Sequence, residues 1–531
     1  MEPPPHRRIV LIIAAAVAIT WFPTWDEPYA EDDFLYLEAH VGADWPTLLG
    51  YLVREGVMDH HYRPLADPFF FAMLDRTSGL NPVGYHFALL SCLALTGILL
   101  FYLALQLQLS VPAAALAALI YVSRDFSYPS LVWASGFSDI GSALLGLASV
   151  AAFVRWLNRG RARDRALAVV LFGLALVTKE TVIALVGLYP LVWVYLRGIP
   201  SRTRGSTHSF GGLLRATVPF LALGMPLTAI QLTRARFDQA FGEALFAWHP
   251  GFDSFLIWPA YAVWSVIGVR ELVAATGLFT AVVVSSYAGL AGWAAIGVRG
   301  ARRRTSRPRI LGLGIGWFFI AIAPLLLAPS RALTNYVAIA AVGPCLVLGT
   351  ALASMGGAGR PLRRRIAWAL AAVILGSGPL LVHLKDRGRI HTGGWVSSVK
   401  AREMNRVVEA LVSEVLPDPA PDGRLLVFGA TAYDIRVLGD PRGRGFGGKP
   451  LLASALRVHY GRKDLEVWSL PRVDQLSAVT LTWVHGFFRD RPAATYLITT
   501  TGSVHDRTRA AADIIARNGG NPALRRALRG S

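Results

Sequence analysis

Charge is scarce in this sequence, and so is cysteine. Only 16% of its 531 residues are charged, against roughly 25% in soluble globular domains. That shortage excludes an intrinsically disordered polar chain. It also excludes a soluble nucleic-acid binder, which would have the basic excess but not the apolar bulk. Cysteine stops at two, Cys92 and Cys345, so there is no disulfide framework and no cysteine-based zinc site. There is no HExxH, no CxxC and no GxSxG, and no internal repeat of 20–50 residues stands out. Lysine is rare as well, 5 against 48 arginines, a bias that suits a high-GC bacterium.

What is abundant is apolar. Hydrophobic residues make up 53% of the chain and the mean hydropathy is +0.44. Long apolar runs read as membrane helices, because a hydrocarbon core of about 30 Å needs about 20 apolar residues to cross it. Eleven runs qualify or nearly qualify: 9–22, 86–106, 111–123, 138–154, 166–178, 181–196, 216–233, 272–298, 310–328, 336–354 and 366–383. The stretch 255–268 is apolar but short and holds Pro259, and reads as a re-entrant or interfacial segment. The first run is followed by Trp21, Phe22, Pro23 and Trp25 rather than a small-residue cleavage site, so it reads as a retained anchor.

The formal charge of +19 sets the orientation. Five connections, 1–8, 155–165, 197–215, 299–309 and 355–365, hold 21 arginines and 2 acids, which is the whole excess. Arginine-rich connections stay on the cytoplasmic side. The expected topology places the N-terminus inside and the C-terminus outside, in the inner (plasma) membrane of a bacterium. A transmembrane domain over 1–384 and an extracytoplasmic domain over 385–531 follow. In that tail, 401–416 has helical spacing, while 424–428 and 496–499 read as short strands, so a small α/β domain is expected.

The outer loop 23–85 is acidic, with eleven Asp and Glu against Arg54, Arg63 and Arg76. Asp26, Glu27, Glu31, Asp32, Asp33 and Glu38 fall within thirteen residues, beside Phe34, Leu35, Tyr36 and Leu37. Such a patch is either a solvated face or a set of carboxyls whose pKa a membrane surface raises toward that of a general base. Asp44 with Pro46 reads as a helix start, and Leu48, Leu49 and Leu52 suggest a helix lying on the membrane or packed within the loop. The tail, 23 basic against 14 acidic, is a candidate to cover this loop or to hold an anionic donor or acceptor.

Several motifs occur in order. An acidic cluster follows the first helix. Tyr62-Arg-Pro-Leu65 comes next, and Gly79-Leu-Asn-Pro-Val-Gly-Tyr-His86 opens the second helix. Trp133-Ala-Ser-Gly-Phe-Ser-Asp139 leads into the fourth span, and Leu176-Val-Thr-Lys-Glu-Thr181 joins the fifth and sixth. Together they resemble the GT-C superfamily of membrane glycosyltransferases, in particular the relatives of protein O-mannosyltransferases, without the tetratricopeptide repeats many of those carry. The resemblance covers roughly 9–355. It departs at Val122-Ser-Arg-Asp125, where the family has His-Pro, and at Arg331 and Asn335-Tyr336, a loose remnant of an Arg-Tyr-x-Tyr segment.

The resemblance implies an all-α polytopic fold and an inverting transfer of one sugar. The donor is a polyprenyl-phosphate-linked sugar and the acceptor is a hydroxyl on a protein, lipid or polysaccharide. It implies Asp32 as general base with Asp33 orienting or binding; Asp26 and Glu27 form an alternative acidic pair. A phosphate leaving group needs fixed positive charge. The basic residues outside and near the spans are Arg63, Lys179, Arg234, Arg236, Arg270 and Arg331. Lys179 beside Glu180 reads as a phosphate or site-shaping contact or as a structural ion pair. Asp139 reads as an acceptor-side residue or an N-cap, and His86 as a packing or capping residue. The residues are compatible with a divalent cation, Mg²⁺ or Mn²⁺, without fixing its ligands; Asp59-His60-His61 lacks a further ligand at helical spacing. Gly443–Lys449 fits GxxxxGK, but Pro450 stands where a P-loop needs Ser or Thr. Membrane lipids are expected partners and nucleic acid is not. Two other classes remain open: a transporter or flippase of lipid-linked sugars, and a non-catalytic cell-envelope scaffold. Acids clustered in loops, rather than within spans, favour surface chemistry over a transport pathway.

Overall fold

The structure is a computed structural model. It describes residues 5–30, 33–40, 42–51, 62–198, 210–236, 306–324, 337–356, 361–387, 398–420, 423–428, 451–462, 465–470, 495–499, 504–517, 522–524 and 526. The expectations for Asp32, Asp59-His60-His61, 255–268, 272–298, Arg270, Arg331 and the loop 443–449 lie outside these residues.

The described helices are, in order, α1 (Pro5–Trp21), α2 (Asp33–His40), α3 (Trp45–Gly50), α4 (Phe70–Ser78), α5 (Pro82–Gln106), α6 (Val111–Ser123), α7 (Tyr128–Leu131), α8 (Phe137–Arg159) and α9 (Ala162–Leu176). They continue with α10 (Leu185–Arg197), α11 (Phe210–Arg236), α12 (Ser306–Ile322), α13 (Val342–Gly356), α14 (Pro361–Asp386), α15 (Ser398–Ala410), α16 (Leu451–Tyr460) and α17 (Thr508–Ala516). Strands are β1 (Arg424–Phe428), β2 (Glu466–Leu470), β3 (Thr495–Thr499) and β4 (His505–Asp506). The fold is therefore mostly helical with one small sheet, as the sequence implies.

The chain divides into two compact units. The first comprises residues 1–26, 60–70 and 77–397. Among the described residues, six helical segments are long and apolar enough to cross a membrane: His6–Thr24, Pro82–Gln106, Ala134–Arg159, Glu180–Arg197, Phe210–Ala229 and Pro361–Asp386. Two shorter apolar helices, Arg309–Ile322 and Val342–Gly356, accompany them. Their outer faces are apolar: Phe87 is 69% exposed, Val373 68% and Trp368 62%. Water would penalise such a belt, whereas lipid accepts it.

Inside, helices are joined by polar side chains. Trp21 Nε1 donates to Val122 O at 2.8 Å, and Ser149 Oγ lies 2.7 Å from Tyr189 OH and donates to Ala168 O. Small residues let backbones approach. Gly349 of α13 rests on α6, where an added Cβ would stand 2.5 Å from Ala113 O and 2.7 Å from Ala117 N. A backbone cannot step aside as a side chain can. Gly349→Ala is therefore expected to destabilise the membrane unit by roughly 1–3 kcal/mol, seen as a lower thermal midpoint in detergent. An unchanged midpoint would show that α6 and α13 do not cross this closely.

The second unit comprises residues 27–59, 71–76 and 398–531. Its sheet has the order β2-β1-β3-β4, with β1 parallel to β2 and β3, and β4 antiparallel to β3. Leu425, Leu426 and Val427 of the central strand are fully buried, the continuous apolar run a parallel strand covered on both faces requires. Asp44 caps α3 by accepting from Thr47 N at 2.9 Å, as its position before Pro46 suggests. Of the leucines expected to share one face, Leu48 is buried and Leu49 is 54% exposed. Adjacent helical positions point about 100° apart, which separates the two.

Candidate active site

The first unit gathers charged side chains from three segments that are distant in sequence. The first is the turn after Tyr62. Pro68 lacks an N–H, and residues Leu65–Phe69 form a single π turn, with Phe69 N donating to Pro64 O at 3.2 Å. The turn is bound to the chain after α9, since Leu65 N donates to Val177 O at 3.3 Å. Phe70 stacks on Phe137 at 4.1 Å and 7°, which fixes the turn against the start of α8.

Arg63 consequently meets Glu180. Its Nε donates to Oε2 at 2.8 Å and a terminal nitrogen donates to Oε1 at 2.6 Å, a bidentate pair. Lys179, next in the chain to Glu180, turns the other way and pairs with Asp139 in the first turn of α8. Both members of that pair are almost fully buried. Asp139 is not the helix N-cap: Gly136 holds that place and no side chain caps it. Lys179 and Glu180, adjacent in sequence, do not pair with each other but hold two different partners.

Asp67, on the π turn, completes the cluster and was not singled out by its sequence context. It is 4% exposed. Burial pushes its carboxyl up to about 7; the positive charges of Arg63 and Lys179 oppose that rise and the Glu180 carboxylate adds to it. The signal that would have found it is a lone acid inside the apolar run Leu65-Ala-Asp-Pro-Phe-Phe-Phe71.

A further buried ion pair joins Asp125, just after α6, to Lys385 near the end of α14. Asp125 Oδ2 accepts from Lys385 Nζ at 2.6 Å, both buried, and Arg124 donates to Ser377 Oγ at 3.0 Å. Asp125 Oδ1, Ser127 Oγ, Ser130 Oγ and Trp133 Nε1 are buried without a hydrogen-bond partner among the described residues. His86 is fully buried, its Nδ1 2.7 Å from Leu131 O, which is a packing and orienting role.

The acids of the first loop divide between the units. Asp26 is exposed and belongs to the first. Glu27, 1% exposed, belongs to the second and pairs with Arg402. Asp33 Oδ2 accepts from Ala30 N at 2.9 Å while Asp33 N donates to Ala30 O at 3.0 Å. That reciprocal pair shapes the entry to α2. Glu38 accepts from Ser454 and from Arg457, the latter at 3.2 Å. Asn405 Nδ2 donates to Tyr29 O at 2.7 Å. Two loop acids thus meet arginines of the C-terminal region within one unit.

Among the described residues, no three His, Cys, Asp or Glu side chains converge on a point that would hold a metal ion.

No protein-family model matches the sequence, and no curated protein matches it. Among solved structures, the chain is similar to the crystal structure of the oligosaccharyltransferase of Archaeoglobus fulgidus, tethered through a disulfide bond to an acceptor peptide containing the NVT sequon. Identity is 12%, the TM-score is 0.49, and the match covers 98% of this chain and 71% of that one. At that identity no residue role passes from one chain to the other.

Proposed function

We propose that this chain is a membrane glycosyltransferase of the GT-C type. It transfers one sugar, with inversion, from a polyprenyl-phosphate-linked donor to an acceptor hydroxyl at the outer face of the membrane. The observation that carries this reading is the convergence of Arg63, Asp139, Lys179 and Glu180. Motif resemblance selected these four residues from separate stretches of sequence, and they form two ion pairs at the ends of apolar helices. Ion pairs there are costly to desolvate and are kept where they do work.

In this reading the acceptor oxygen attacks the anomeric carbon as Asp32 takes its proton. The bond from that carbon to the phosphate oxygen breaks, and the polyprenyl phosphate leaves with the electron pair. Arg63 and Lys179 supply positive charge for the departing phosphate. Glu180 and Asp139 hold those two cations in place, and Arg331 is a further phosphate contact. Asp33 orients the base, and Asp26 with Glu27 is the alternative acidic pair. Residues 1–384 form the catalytic domain and 385–531 an extracytoplasmic domain of a bacterial inner-membrane protein whose N-terminus is cytoplasmic.

Transfer from a polyprenyl-phosphate sugar by purified Asp32→Asn is expected to fall by about 10²–10⁴-fold, the usual contribution of a general base. Intact transfer by Asp32→Asn and Asp33→Asn alike would remove the base assignment. Movement of lipid-linked sugar across proteoliposomes without any transferred sugar would replace the enzyme reading with a transporter.

A further inference from the structure

The α8–α9 pair has a second charged end. α8 holds 23 residues, about 34 Å at 1.5 Å per residue, so its C-terminal arginines lie roughly one hydrocarbon thickness from Asp139. There, an open cavity of about 280 Å³ is lined by Arg155, Arg159, Arg163, Asp164 and Leu167. Asp164 is 5% exposed. Its Oδ1 accepts from Arg155 Nε at 2.8 Å, while its Oδ2 is buried without a hydrogen-bond partner among the described residues. Arg159 and Arg163 are exposed. The lining thus carries three positive charges against one negative.

Two features continue from the cavity. Leu167, Val170 and Leu174 are exposed on α9 at 42%, 58% and 40%. Their spacing places them on one stripe that starts in the cavity and runs along the helix. Trp156, with Arg165 over its ring at 5.1 Å, is the aromatic–basic pairing typical of the level of lipid headgroups.

We propose that this cavity binds the headgroup of an anionic phospholipid of the phosphatidylglycerol type. Arg159 and Arg163 hold the phosphodiester oxygens. The unpartnered Oδ2 of Asp164 accepts a headgroup hydroxyl, which a net-positive site needs if the buried carboxylate is to be satisfied. One acyl chain lies along Leu167, Val170 and Leu174. Basic pockets between membrane helices hold anionic headgroups by the same electrostatics. The inference needs only a membrane-embedded α8–α9 pair and is independent of the sugar-transfer reading.

The test is native mass spectrometry of the full chain in detergent, titrated with phosphatidylglycerol, phosphatidylethanolamine or phosphatidylcholine. Phosphatidylglycerol is expected to be retained about tenfold over the other two. Arg159→Gln with Arg163→Gln is expected to lower its retention by about 10–30-fold, from two lost charges near the headgroup. Arg363→Gln with Arg364→Gln, an equal charge loss at exposed positions of α14, is expected to leave it unchanged. Equal retention of the three lipids, or equal loss in both double variants, would overturn the proposal. Displacement of the lipid by millimolar inorganic phosphate would also overturn it, by identifying a soluble ion as the ligand.

Discussion

Lys179→Gln is expected to destabilise the protein by about 3–5 kcal/mol, because it leaves the Asp139 carboxylate buried without its cation. The informative companion is Lys179→Met with Asp139→Leu, which removes both charges and keeps the volume. Replacing a whole buried pair by apolar groups is often neutral or stabilising, so this double variant is expected to regain most of the thermal midpoint lost in the single one. In the proposed reading sugar transfer is expected to stay reduced, because Lys179 no longer adds its charge to that of Arg63 at the departing phosphate. A double variant that regains both stability and transfer would make the pair purely structural.

Asp67→Asn is expected to change how stability and donor affinity depend on pH. The folded carboxyl titrates near 7 instead of its ordinary 3.8, because of burial. Below about pH 4 both folded and unfolded chains hold the proton and nothing is lost. Between pH 4 and 7 the unfolded chain gives up a proton that the folded chain keeps. Wild-type stability therefore falls as pH rises, by up to about 1.4 kcal/mol per pH unit. Asparagine does not titrate. The variant is thus expected to gain on the wild type by roughly 3–4 kcal/mol between pH 4 and 7 and to keep that gain above it. Under the proposed function the same proton bears on donor binding: neutral Asp67 leaves Arg63 and Lys179 to the phosphate, and ionised Asp67 competes for them. Donor KM in the wild type is expected to rise through about pH 7, and in Asp67→Asn to stay flat across it. A stability difference that does not vary with pH, measured by thermal melts from pH 4 to 9, would remove Asp67 from this role.

Run length made the helices readable. The run 86–106 became Pro82–Gln106, extended at its start by Pro82 to Tyr85, and 138–154 became Phe137–Arg159, extended by a polar end with Arg155, Asn158 and Arg159 that no apolar window includes. The apolar strands Arg424–Phe428 and Thr495–Thr499 were readable for the same reason. Glu466–Leu470 was not, because five residues of Glu-Val-Trp-Ser-Leu carry too little alternation to separate strand from helix. At the site, sequence singled out Arg63, Asp139, Lys179 and Glu180 as substrate contacts but not the ion pairs Arg63–Glu180 and Lys179–Asp139 that they form. Arg63 and Glu180 are 117 positions apart, and Lys385 and Asp125 are 260 apart. Such pairings depend on how helices return to one end of a bundle, and no local pattern encodes that. Asp67 escaped notice because its chemistry comes from burial, a property of the fold.

The pairing of Glu27 with Arg402 spans 375 positions, and its consequence concerns synthesis. A ribosome adding about 5–20 residues per second makes Arg402 on the order of 20–75 s after Glu27. Through that interval the first loop has left the translation machinery while α2 lacks the helices α15 and α16 that its unit requires. Its apolar side chains, Phe34, Leu35 and Leu37 among them, must be shielded by something else as the remaining membrane helices are inserted. A nascent chain halted before residue 398 would leave those side chains without the partners they have in the finished unit. The second unit therefore cannot complete until its segments from residue 398 onward have been made, long after its first segment.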